Sequence, residues 1–290
     1  MAESDPMLRA YYQALKPERT YANVMTTAAG FVFASQRHID WLLFLYTLLG
    51  TTLIVMSACA VNNITDRRLD ACMPRTKQRA TVTGEVSARK LAVVATVFGL
   101  VGFAVLAVHV NWLTTFIGAI GYVDYTLFYA WTKRTTPWST LVGTICGAAP
   151  IVAGYTAATG RFDITAALLA LVMIFWQMPH FYAIGIFRRE DYKAGNLPIW
   201  PVKYGVRKTQ NQILGFTVLY VIAVLGLAYF GSTGVVFAIV MGLLGLYWLC
   251  LGVKGFRAEK PEKWARGMFG FSLITLLWLC GMLVIAPFLP

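Results

Sequence analysis

The chain has 290 residues, 58% of them hydrophobic and only 13% charged, with a formal net charge of +12 and a mean hydropathy of +0.62. So apolar a composition excludes an ordinary soluble enzyme and predicts a polytopic, all-α membrane protein. The positive balance does not predict nucleic-acid binding, because the Lys and Arg residues lie between apolar runs and not on one amphipathic face.

In chain order, residues 1–19 form a polar lead that ends in Lys16-Pro17-Glu18-Arg19. The opening MAESDPMLRAYY carries acids and no apolar core. It reads as neither a secretory signal nor an Arg/Ser-rich transit peptide, so a bacterial cytoplasmic membrane is expected. Apolar runs then predict nine spans, at 20–36, 41–62, 89–109, 112–131, 138–158, 164–187, 210–230, 233–252 and 267–287. Each is close to the ~20 residues that a bilayer crossing requires. With the N-terminus inside and the C-terminus outside, only Arg37 and Arg161 of the 25 Lys and Arg residues fall in outer segments. That asymmetry is the positive-inside pattern and supports both the span count and the orientation. Outer connections are short. Two inner loops, 63–88 and 188–209, are long and mix acids with bases. They follow the second and sixth spans, so they read as caps on two similar halves of one membrane domain, 1–290. The five cysteines form no CxxC pair and no Cys/His cluster, which argues against structural zinc and against a disulfide framework.

The first inner loop begins NNITDRRLDACMPRTKQR. Asn62, Asp66 and Asp70 stand at i, i+4 and i+8, and on a helix each step of four advances about 40°, so the three share one stripe. Two carboxylates and an amide oxygen on one face make a hard-oxygen site suited to Mg²⁺. Arg67, Arg68, Arg75, Lys77 and Arg79 crowd the same place, and cations beside such a site favour a polyanion such as a diphosphate. The arginines alone read equally well as anchors at a membrane edge. Carboxylates there are costly and point to function.

Lys133 and Arg134 end the fourth span on the inner side, where they reach a diphosphate or simply anchor the helix. The second inner loop reads FRREDYKAGNLPIWPVKYG. If the two loops face each other, Asp191 supplies a carboxylate opposite Asp66 and Asp70, with Lys193 beside it; alternatively Glu190 and Asp191 pair locally with Arg188 and Arg189. Within the preceding span, WQMPHFYAI places Gln177 and His180 among apolar residues. His180 lies eight residues before Arg188, about 12 Å deeper along a helix. An ionisable residue at that depth faces a cavity or another helix. It can hold a metal or metal cofactor, carry a proton, or hydrogen-bond a neighbour. Asp124 is a second intramembrane acid, free to serve a cavity or to pair with a buried polar group. His38 and His109, at outer helix ends, read as solvated.

The NxxxDxxxD pattern at Asn62, Asp66 and Asp70 resembles the first aspartate motif of the UbiA superfamily of intramembrane prenyltransferases. KRTTPWSTLVGTICGAAP (133–150), WQMPHFYAIGIFRREDYKAGNLPIWPV (176–202) and WARGMFGFS (264–272) resemble its heme-farnesylating branch. Gly195 stands four residues after Asp191, where the superfamily often has a second aspartate. The resemblance implies nine transmembrane helices around a central cavity capped by the two inner loops. It implies farnesyl diphosphate and heme B as substrates, Mg²⁺ as cofactor, and partner enzymes that pass heme on. Asp66, Asp70 and Asp191 become the catalytic carboxylates, binding metal together with Asn62. Arg67, Arg75, Arg79, Lys133, Arg134 and Lys193 become diphosphate contacts, and His180 and Gln177 heme contacts. Three rivals stay open: a prenyltransferase for an aromatic quinone precursor, a transporter that uses Asp124 and His180, and a heme chaperone.

Overall fold

The structure is a computed structural model, and it describes residues 6–231 and 233–289. A short helix α1 (Pro6–Ala14) leads into α2 (Pro17–Ser35) and α3 (Trp41–Thr65). Two short helices, α4 (Arg67–Cys72) and α5 (Ala80–Thr83), precede α6 (Ala88–His109). Helices α7 (Trp112–Val123) and α8 (Tyr129–Thr135) are joined by one π-helical turn, Asp124–Phe128. Then come α9 (Ser139–Thr159), α10 (Ile164–Phe187), the short α11 (Arg189–Ala194), α12 (Trp200–Phe230), α13 (Gly234–Lys254) and α14 (Pro261–Ile285). No strand occurs among the described residues.

Among the described residues, seven helices are long and apolar enough to cross a membrane, and the protein is a multi-pass membrane protein. The other two expected spans correspond to α2, which is rich in threonine, and to the rod α7–α8, which the π turn interrupts. The count of nine therefore stands as an expectation. The expected span 210–230 begins earlier, at Trp200, and bends at Gly205, whose φ of 81° and ψ of 173° break the helix.

At one end the connections are short, and Asx side chains cap three of the helices there. Asp40 accepts from Leu43 N at the start of α3, Asn111 from Thr114 N at α7, and Asp163 from Thr165 N and Ala166 N at α10. Each satisfies backbone N–H groups that the helix leaves unpaired. His38 and His109 are exposed at this end.

Pairs α3–α6, α2–α9, α9–α10, α10–α12, α10–α14 and α12–α13 make the main packing surfaces. The largest apolar core draws on α2, α9, α10, α12, α13 and α14. The α2–α9 contact is close. A Cβ on Gly154 would stand 2.0 Å from the Thr27 carbonyl oxygen, and one on Gly30 would stand 2.2 Å from that of Ile151. Here backbone meets backbone, the close approach that small residues permit when lipid supplies no hydrophobic drive.

At the other, basic end, the two long loops fold onto each other. Met73, Leu197 and Ile199 form a small apolar cluster, flanked by Leu69, Tyr192 and Val202. The expected facing of the two loops is thus present, held by an apolar seam between α4 and the segment after α11.

Gly154→Val should force α2 and α9 apart. Overpacking of this kind costs about 1–3 kcal/mol. The check is thermal unfolding of the purified protein in detergent, with a clearly lowered midpoint expected, and little change for Gly215→Ala, where a Cβ meets nothing within 4 Å.

Candidate active site

The Asn62–Asp66–Asp70 stripe survives a helix break. Asn62 lies on α3, Asp66 at the α3–α4 junction, and Asp70 on α4. Two i→i+4 backbone bonds carry the register across, Asp66 N to Asn62 O at 2.9 Å and Asp70 N to Asp66 O at 2.7 Å. All three side chains are buried, at 4%, 6% and 2% exposure.

Burial obliges each carboxylate to hold a countercharge. Asp66 accepts from Lys133 Nζ on Oδ2, from Arg134 Nη2 on Oδ1 at 2.7 Å, and from Asn62 Nδ2 on Oδ2 at 2.9 Å. Asp70 accepts from Arg79 Nη1 at 2.6 Å. Asn62 Oδ1 in turn accepts from Lys16 Nζ. Four cations from α8, the first loop and the α1–α2 turn thus converge on one stripe. Burial depresses the Lys133 amine, and Asp66 opposes that shift. Burial, reinforced by Arg19, pushes the Lys16 amine down to about 7.

Asp191 is held differently. Its Oδ2 stands 3.9 Å from Arg75 Nε and 3.7 Å from Arg188 Nη1. Lys193 pairs with Glu190 at 2.8 Å, which holds the exposed Glu190 carboxyl below its ordinary range. Among the described residues, no three of His, Cys, Asp and Glu lie close enough together to share a metal ion. Asp191 therefore faces the same end as Asp66 and Asp70 without joining them. Arg67 is exposed and makes no contact with the stripe. The ammonium of Lys133 and the guanidinium of Arg79 stand where a metal cation would neutralise the same oxygens. The carboxylate and amide donors present fit Mg²⁺.

Several groups at this end carried no site signal beyond charge or aromaticity in the sequence. Lys16 sits in the left-handed region (φ 52°, ψ 64°) directly before Pro17. That conformation is uncommon for a residue with a Cβ, and it brings the lysine amine to Asn62. Arg19 Nη1 donates to the Tyr125 hydroxyl at 2.8 Å. Arg19 keeps accessible surface, with Tyr125, Cys59, Tyr129 and Tyr192 in its neighbourhood. Tyr125 and Tyr129 stack nearly parallel, centroids 5.8 Å apart at 6°, and Lys133 Nζ lies 5.3 Å from the Tyr129 ring. Burial raises the Tyr192 phenol. The pair Lys16-Pro17 at a helix start was the only sequence signal for this wall.

Deeper along α10, His180 is buried at 8% exposure. Its Nδ1 lies 2.7 Å from Ser272 Oγ on α14, and Ser272 Oγ lies 2.5 Å from Phe269 O. The ring stacks on Trp176 at 4.8 Å and 25°. Gln177 is committed elsewhere. Its Nε2 donates to Thr144 O and Met173 O, and its Oε1 fills the notch at Gly147. These contacts give it a helix-packing role. Asp124, in the π turn, accepts from Cys146 N of α9 at 3.0 Å, so it ties the rod to α9.

The model of the UbiA prenyltransferase family matches residues 23–280. Protoheme IX farnesyltransferase 2 of Pseudomonas putida is 41% identical over 277 residues, covering 95% of this chain and 94% of that protein. Protoheme IX farnesyltransferase of Acinetobacter baylyi is 44% identical over 274 residues, covering 93% and 94%. Among solved structures, one of digeranylgeranylglyceryl phosphate synthase superposes with a TM-score of 0.82 at 15% identity, covering 98% of this chain and 99% of that one. A UbiA homolog from Archaeoglobus fulgidus bound to GPP and Mg²⁺ gives 0.72 at 14%, covering 94% and 99%. These two share the fold.

Removing the Asp66 carboxylate should strand Lys133, whose side chain is 7% exposed. Breaking a buried pair from one side costs about 3–5 kcal/mol. Asp66→Ala should therefore lower the unfolding midpoint more than Lys133→Met, which leaves Asp66 with Arg134 and Asn62. Thermal unfolding followed by helical circular dichroism gives the order.

Proposed function

Because the chain belongs to the UbiA prenyltransferase family, we propose that it transfers the farnesyl group of farnesyl diphosphate to a vinyl group of heme B. The products are heme O and diphosphate. The single observation that carries this reading is the buried Asn62–Asp66–Asp70 stripe under converging cations, in a chain more than 40% identical to protoheme IX farnesyltransferases over nearly its full length. The whole chain, 1–290, acts as one domain in a bacterial cytoplasmic membrane. The N-terminus and both long loops lie inside and the C-terminus outside, with partner enzymes that deliver heme B and take heme O.

Asn62, Asp66 and Asp70 would hold Mg²⁺, and Asp191, now paired with Arg75 and Arg188, would join them from the facing loop once the diphosphate takes those arginines. When bound, Mg²⁺ supplies Lewis-acid charge to the diphosphate. Lys133, Arg134, Arg79 and Arg75, with Lys16 and Arg19, turn from protein oxygens to phosphate oxygens and stabilise the leaving group's growing charge. Lys193 joins them once it leaves Glu190. The allylic C–O bond breaks and its electron pair leaves with diphosphate. Positive charge develops at C1 of the farnesyl group, against the stacked faces of Tyr125 and Tyr129. The heme vinyl group supplies the electron pair for the new C–C bond. Water adds to the resulting porphyrin-side cation and loses a proton, giving the hydroxyethylfarnesyl group. The apolar walls keep bulk water from the allylic cation until then. His180 Nε2 contacts the heme iron.

Asp66→Asn and Asp70→Asn should each lower heme O formation by roughly 10²–10³-fold, measured by mass spectrometry in membranes supplied with both substrates. Undiminished product in either variant removes that carboxylate from the mechanism. Chelation of divalent metal should abolish product and Mg²⁺ should restore it. A quinone precursor offered in place of heme B should not be prenylated.

A further inference from the structure

Ser272 has one hydroxyl proton, and its Oγ has two neighbours. Phe269 O, at 2.5 Å, is a carbonyl and can only accept. The hydroxyl therefore donates to Phe269, and the second neighbour, His180 Nδ1 at 2.7 Å, must donate to Oγ. This fixes the imidazole as its Nδ1–H tautomer and leaves the lone pair on Nε2. Nε2 makes no hydrogen bond and is not among the fully buried, unpartnered atoms, so it keeps accessible surface. The ring plane is fixed as well. Trp176 stacks on His180, and Trp176 Nε1 donates to Ser272 O at 2.9 Å. Ser272 itself is fully buried, and α14 packs it against α10.

We propose that Ser272 is a positioning residue for the heme acceptor: it holds His180 in the tautomer and orientation in which Nε2 can ligate iron. The inference rests on the proposed heme contact of His180. Outer-sphere hydrogen bonds to the distal nitrogen of a ligating histidine have this role in metal sites generally. Without the acceptor at Nδ1, the imidazole is free to place its proton on Nε2, the nitrogen that must be bare. The buried Nδ1 then also lacks a partner.

The test titrates heme B into the purified wild type and variants, following the Soret band, with farnesyl diphosphate KM as a separate readout of the intact diphosphate site. His180→Ala should lose the ligation signature, and added imidazole should restore it. Ser272→Ala should keep the His-ligated band at saturation but weaken heme binding by roughly 3–10-fold, the value of one neutral hydrogen bond. Its farnesyl diphosphate KM should not change, and Ser272→Thr, which keeps the hydroxyl, should restore heme affinity. If Ser272→Ala does not accumulate as folded protein, Ser272→Cys replaces it, being close in size with a thiol that accepts poorly. Wild-type heme affinity and band in Ser272→Ala or Ser272→Cys overturn the proposal while the His180 contact stands. An unchanged band in His180→Ala overturns the contact itself.

Discussion

Carboxylates buried at the edge of a membrane must be neutralised, and the architecture of the basic end follows from that demand. Asp66 and Asp70 are almost sealed from solvent. The cations that hold them come from distant parts of the chain: Lys133 and Arg134 from α8, Arg79 from the first loop, and Lys16 through Asn62. Each contact ties another element to the α3–α4 junction. The strained backbone of Lys16 and the α7–α8 rod's approach are both paid for at this junction.

The same arrangement explains why the site suits a polyanion. Cations outnumber carboxylates at this end once Arg19, Arg75 and Arg188 are counted with Asp191, so the site is more than self-neutralised. On the proposed reading, a diphosphate would bring the missing negative charge, and a divalent cation would free Lys133 and Arg79 from Asp66 and Asp70. These ion pairs hold positive charge at one place, with Lys133 buried and Arg79 and Arg134 partly so. A desolvated charge acts on a leaving group more strongly than one that must first shed water.

How much of this was legible in sequence depends on the distance over which each signal acts. The stripe was legible because i, i+4 spacing is local, and it held even though α3 ends at Thr65 and α4 begins at Arg67. The facing of the two long loops was legible from their length and matching positions. The choice of partners was not. The Asp191–Arg188 pair is the local i,i+3 alternative that the sequence offered, but nothing local tells Asp191 to turn to Arg75 as well, or Gln177 to close on Thr144 and fill the notch at Gly147. Those outcomes depend on which helix backbones approach one another. The π turn at Asp124 was invisible for the same reason: its carboxylate meets the Cys146 amide only because α7 and α9 cross there.

The two ends of α10 set two chemistries apart. At its basic end the neighbouring groups are charged and half-buried, and they can exchange partners when a ligand arrives. Around His180 the described neighbours are Trp176, Phe181, Phe269 and Ser272, all neutral. Its Nδ1 is committed to Ser272 Oγ, and no charged side chain touches the ring among the described residues. On the proposed reading, this difference in polarity along one helix separates a polyanionic donor from a flat, iron-bearing acceptor, the charged end suiting the first and the neutral, aromatic surroundings of His180 the second.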